Sequence, residues 1–149
     1  MTTDLALRWD AELTQADWRL TGGGNFEMTS ALETAVMVSL FTDARALPGD
    51  KLLPGETDRR GWWGDLVDDL PIGSRLWLLR RAKRLPETLK LARDYIAEAL
   101  RWLVTDEIAA KVEVETAWAS QERIGATIRI FQGDSGTSVL RAEWAWQGV

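Results

Sequence analysis

Between Pro86 and Ile130 the hydrophobic pattern changes period, and that change constrains the fold more than any other feature of the chain. In "PETLKLARDYIAEALRWLVTDE", residues 86–107, Leu89, Ala92, Ile96, Ala99, Leu100 and Leu103 recur at helical spacing. Pro86 suits a first helical turn, where its missing N–H is not needed. Leu91, Tyr95 and Trp102 add a flanking apolar stripe, and the Lys90–Asp94 and Glu98–Arg101 pairs support the polar face. So broad an apolar surface predicts packing on both a sheet and another helix. After Ile108 the period drops to two. Val112, Val114, Thr116 and Trp118 alternate with Lys111, Glu113 and Glu115; Ile124, Ala126, Ile128 and Ile130 alternate with Arg123, Thr127 and Arg129. Residues 139–146 read as a third strand, and the turns "SQE" and "QGDSG" join all three into an antiparallel meander.

Upstream, Ser30 and Glu33 form a capping box that opens another helix. Leu32, Ala35, Val36, Ser39 and Leu40 line one face of it, and Met37 and Phe41 a second. Residues 5–20 predict one or two short strands, and "TGGGN" at 21–25 a turn. "GSRLWLLRRAKRL" reads as a short helix with Ser74 as its N-cap. The order of strands, helices, then strands predicts an α+β fold: a mostly antiparallel sheet with two main helices and one short helix packed on one face. With 149 residues and no repeat or linker, the expectation is one domain over residues 1–149.

The chain has no histidine and no cysteine. Imidazole acid–base catalysis, thiol chemistry, disulfides and zinc ribbons are excluded at once. "GDSGT" at 133–137 imitates a serine nucleophile motif, but Ser135 has no imidazole to take its proton and sits where a hairpin turn belongs. A glycosidase would have to pair Glu56 with Asp58 or Asp65. Arg59 and Arg60 stand beside these acids and favour their ionised form, which disfavours a protonated general acid. No EF-hand spacing appears, and neither metal nor cofactor is expected.

Net charge is −5, which argues against binding a nucleic acid backbone. Arg75, Arg80, Arg81, Lys83 and Arg84 do form a cationic cluster, but Asp65, Asp68 and Asp69 precede it. Ion pairing is the reading it favours; a nucleic-acid role would demand salt-dependent retention on DNA. The N-terminus lacks the pattern of a signal peptide, and no apolar run is long enough to span a membrane.

Residues 46–73 form the longest irregular stretch, and long ordered loops in compact domains are usually functional. It contains "DRRGWWGD", residues 58–65. In extended backbone Trp62 and Trp63 would point opposite ways, one anchoring in the domain and the other facing outward. Arg59 and Arg60 offer planar forks for carboxylates, and tryptophan and arginine are the residue types enriched at binding hot spots. Arg59, Arg60, Trp62, Trp63, Asp65 and Arg75 are therefore the candidate partner-binding or loop-bracing residues. The competing reading is a loop whose tryptophans merely cover the helical core.

"FTD" at 41–43, "DRRGWWGD" at 58–65, "IGSRLWLLRRAK" at 72–83 and "ALRWLV" at 99–104 carry a resemblance in both order and spacing. With them the chain resembles the gene product 46 family of tail baseplate proteins of Mu-type phages. That family is in turn similar to the baseplate wedge protein of T-even phages and to a baseplate subunit of type VI secretion systems. The resemblance implies a small α+β domain in the baseplate wedge, made in the host cytoplasm and carried in the virion tail in multiple copies within a hetero-oligomeric assembly. Its implied partners are other wedge proteins and the tail sheath, whose assembly begins on this platform. The wider family docks a helical bundle through a Glu-Pro-Arg loop motif. This chain lacks the tripeptide, and "PGETDRRGWWGD" stands in a comparable place. Where the Mu-type pattern usually has a glycine after the long helix, this chain has Glu107.

Overall fold

The computed structural model describes the backbone of residues 3–5, 7–10, 15–18, 28–66 and 71–145. Four short strands come first: β1 (Thr3–Leu5), β2 (Leu7–Asp10), β3 (Gln15–Trp18) and β4 (Met28–Ser30). They pair antiparallel as β1 with β4 and β2 with β3, so this region holds more strands than its scattered apolar positions suggest. The turn expected at 21–25 lies outside the described residues, as do Asp68 and Asp69.

Helix α1 (Ala31–Phe41) starts directly after Ser30 and buries Val36, Ser39 and Leu40. The short helix expected from Ser74 onward is a single 3-10 turn, Leu76–Leu79, that buries Leu76, Trp77 and Leu79. Ser74 nevertheless works at its start: its Oγ donates to the Leu40 carbonyl at 2.5 Å and accepts from Leu76 N at 3.3 Å. One hydroxyl thereby links the end of α1 to the turn.

The long helix is interrupted. Helix α2 (Pro86–Ala99) stops at Leu100, whose φ of −101° and ψ of 4° leave the helical region, and α3 (Arg101–Thr105) resumes at once. Neither proline nor glycine marks the break. Leu100, at the break, and Leu103 are both fully buried. The helix then ends at Glu107, with a left-handed φ of 59°. Glu107 N donates to Val104 O and Ile108 N to Leu103 O, the paired bonds of a Schellman cap. The glutamate thus occupies the position where glycine is most at ease.

Strands β5 (Lys111–Trp118), β6 (Arg123–Phe131) and β7 (Thr137–Ala145) form the expected antiparallel meander, with β6 in the centre. Ile124, Ala126, Ile128 and Ile130 are all buried, the alternation read from the sequence. Each buried isoleucine contributes roughly 2–3 kcal/mol of apolar burial. Their partners Trp118, Thr116, Val114 and Val112 share that face, which meets the helices. Thr116 Oγ1 donates to Leu89 O at 2.8 Å, tying sheet to α2. Ser135 lies in a 3-10 turn between β6 and β7. The other face of the sheet is polar, with Arg129 paired to Glu115 at 3.2 Å and Lys111 to Glu113. The architecture is α+β, with the helices on one face of the antiparallel sheet.

Candidate functional site

The stretch 43–66 runs over the ends of α1 and the 3-10 turn at Leu76–Leu79. Two features hold it. Asp43 bridges Ser74 in parallel, with Ala44 N donating to Ser74 O at 3.0 Å and Ser74 N to Thr42 O at 2.9 Å. Gly73 makes this approach possible: its φ is +103°, and a Cβ there would collide with the Thr42 carbonyl. Ala46, Leu53 and Trp77 then form a small buried cluster of their own, separate from the main core. Trp77 Nε1 donates to Ala44 O at 2.8 Å, so the indole is satisfied as well as packed.

Arg60 pins the opening motif to this base. Its guanidinium lies 4.3 Å above the Trp77 ring and donates to Asp43 Oδ2 at 2.6 Å. It also reaches Glu56 at 3.4 Å. To face inward its backbone takes a left-handed φ of 55°, and Asp58 Oδ1 accepts from Arg60 N at 2.8 Å to hold that turn. Arg59 carries the strap beside it, since its carbonyl accepts from Ala46 N at 2.8 Å and its Nη1 donates to Leu47 O at 2.6 Å.

Asp65 closes the far end, accepting from Trp62 N at 3.3 Å and from Ile72 N at 3.0 Å. Arg75 braces the loop from a third side. It donates to both oxygens of Asp50 at 2.8 and 2.9 Å and to Glu98 of α2 at 2.9 Å, and it stacks 4.5 Å over Tyr95. Burial pulls the Arg75 pKa down, but its bonds to Glu98 and Asp50 outweigh this, and the net shift is upward. Burial raises the Tyr95 phenol, with Arg75 opposing and Asp50, Glu98 and Asp94 reinforcing. Glu98 is therefore turned to Arg75, and Asp94 sits 3.6 Å from Arg93 instead of pairing with Lys90.

The tryptophans do not behave as extended backbone would dictate. Gly61, with φ of +105°, follows the left-handed Arg60, and a 3-10 turn begins at Trp63. Both indoles consequently stand on the surface side by side, ring centroids 5.2 Å apart and planes tilted by 45°. Trp63 is 76% exposed and Trp62 40% exposed. Trp62 folds over Gly64, which has no Cβ to obstruct the ring. Neither tryptophan belongs to the buried clusters among the described residues.

The structure thus gathers Arg59, Arg60, Trp62, Trp63 and Asp65 in one braced loop and places Arg75 at its support. Of these, Trp62 and Trp63 are the exposed ones, and Arg60, Asp65 and Arg75 are engaged within the chain. Sequence reasoning missed Asp43, Asp50 and Trp77 as supports. "FTD" and "GSRLWLL" already contained two of them, but nothing in the spacing reveals a stack on Arg60. Among the cations at 75–84, Arg84 also turns inward, donating to Ser120 O at 2.8 Å and stacking 4.4 Å over Trp118.

Glu56, Asp58 and Asp65 each accept bonds from groups that hold the loop's shape. No group of three or more acidic residues gathers as a metal site among the described residues. No helix among them is long and apolar enough to cross a membrane.

A family profile described as "Phage protein GP46" matches residues 32–137, a span that contains the whole loop, its supports and strands β5 and β6. The chain belongs to the phage protein GP46 family. It is 41% identical over 148 residues to "Baseplate protein gp46" of Escherichia phage Mu, covering 99% of both chains. It is 37% identical over 146 residues to "Mu-like prophage FluMu protein gp46" of Haemophilus influenzae, covering 96% of this chain and 98% of that one. The family is thus shared across essentially the whole length, not through the WW loop alone.

Proposed function

We propose that this GP46-family chain is a non-enzymatic structural subunit of a phage or prophage tail baseplate, acting as one domain that docks neighbouring baseplate proteins. The observation that carries the docking role is the outward Trp62–Trp63 pair on a loop held from within the chain by Arg60, Asp65 and Arg75. A rigid ridge loses little conformational entropy on binding, and large aromatics are the usual anchors of interfaces. The near full-length likeness to the Mu baseplate protein supports the assembly it serves. The partners are wedge neighbours, present with it in multiple copies in the virion baseplate after assembly in the host cytoplasm.

Sheath initiation is the second part of the proposal. Strand β7 pairs only with β6 among the described residues, and strand addition at its outer edge is the joint we assign to sheath initiation. Leu140→Pro, at the middle of β7, should stop sheath growth in a variant whose fold is checked by circular dichroism; normal sheaths on that folded variant would remove this part.

Mixing the purified chain with candidate wedge neighbours tests the docking role. The wild type should form a stable complex, and the folded Trp62→Ala/Trp63→Ala variant should lose several kcal/mol of affinity. The glycosidase alternative is disfavoured because its acids brace the loop. Clearing of a peptidoglycan suspension, abolished in Glu56→Gln, would restore it.

A further inference from the structure

We infer that the segment seated on the Trp62–Trp63 ridge is an acidic stretch of a partner protein, with carboxylates flanking an apolar side chain. The inference rests on the docking role proposed above. It comes from an asymmetry in how the loop's charges are engaged. All five carboxylates between residues 43 and 65 already accept bonds from this chain. Asp43 and Glu56 receive Arg60, Asp50 receives Arg75, Asp58 receives Arg60 N, and Asp65 receives Trp62 N and Ile72 N.

Two arginines close to the backbone that leads into the indoles are engaged less fully. Arg45 is exposed and makes no hydrogen bond or ion pair among the described residues. Its Cβ lies 3.0 Å from where a Cβ on Gly61 would stand, so it rises next to the residue that precedes Trp62. Arg59 shows a donor bond only from Nη1, to Leu47 O at 2.6 Å. The bond from Ala46 N to Arg59 O, 2.8 Å, holds these two arginine-bearing segments side by side. A chain of net charge −5 therefore offers indole faces together with open guanidinium donors on the segments that adjoin them.

A partner that covers the ridge strips water from those donors. A guanidinium buried without acceptors is costly, so the covering surface must supply them. Carboxylates match the guanidinium fork with two parallel bonds, and indole faces accept the apolar side chain between them.

The test is incorporation of the full-length chain into tail particles of the element that encodes it. Arg45→Glu should reduce incorporation roughly tenfold or more, Arg45→Lys much less, with unchanged thermal melting because Arg45 holds nothing within the chain. Suppressors of Arg45→Glu should be acid-to-base changes in another tail protein. Wild-type incorporation of Arg45→Glu, with Trp62→Ala/Trp63→Ala blocked, would overturn the acidic partner and leave docking intact. Wild-type incorporation of both variants would remove the docking role itself. The same ridge chemistry could meet an anionic membrane. Co-sedimentation of the wild type with phosphatidylglycerol vesicles, lost in Arg45→Glu, would overturn the protein partner in favour of lipid.

Discussion

Arg75 reaches Asp50 across 25 residues of chain, with Nη1 2.8 Å from Oδ1, and both side chains are only 15% exposed. The same guanidinium holds Glu98, so one side chain joins the loop to α2. Removing it leaves two partly buried carboxylates without their counter-charge. Arg75→Ala should cost about 2–4 kcal/mol in chemical denaturation. Arg75→Lys should recover only part of this, since an ammonium cannot span both carboxylates as a fork does.

The helix end makes the opposite kind of prediction. Glu107 sits in a left-handed conformation that costs a residue with a Cβ about 1–2 kcal/mol. Glycine removes that cost and adds unfolded-state entropy of its own. Glu107→Gly should therefore stabilise the chain by about 0.5–1 kcal/mol, read as an upward shift in Tm.

Gly73 should tolerate nothing larger. A Cβ there would strike the Thr42 carbonyl, and φ of +103° is strained for any other residue. Gly73→Ala should cost at least about 1–3 kcal/mol and loosen the Asp43–Ser74 bridge, seen as faster amide exchange at Ala44 and Ser74.

Tyr95 gives a pH signature. Its phenol is pushed above the ordinary tyrosine range, chiefly by burial. A raised folded-state pKa means that its contribution to stability is complete below the unfolded value, about 10, and is lost as pH rises through the folded value. Wild-type stability should thus fall more steeply above about pH 10 than that of Tyr95→Phe, and the two should run parallel below it. Denaturation midpoints across that range check the difference.

The elements that were legible are those whose periodicity is enforced by burial. The Ile124–Ile130 alternation and the Leu89–Leu103 stripe each report one face against the core, and a slip of either would expose several apolar groups. The break at Leu100 is not legible, because neither proline nor glycine marks it. The site was legible as a composition and not as a geometry. "RGWWGD" marks aromatic and guanidinium content, but the direction of both indoles follows from the positive φ at Arg60 and Gly61. Arg60 accepts that strain because Trp77, Asp43 and Asp58 hold it, and those partners are distant or unmarked in the chain.

The most direct measurement is hydroxyl-radical footprinting of Trp62 and Trp63 in the free chain and in assembled tail particles. Free chain should be heavily oxidised at Trp63 and moderately at Trp62, in line with their exposure. If the indole ridge is where neighbouring subunits grip, assembly should protect both. Equal oxidation of the pair in free chain and in particles would contradict the docking role.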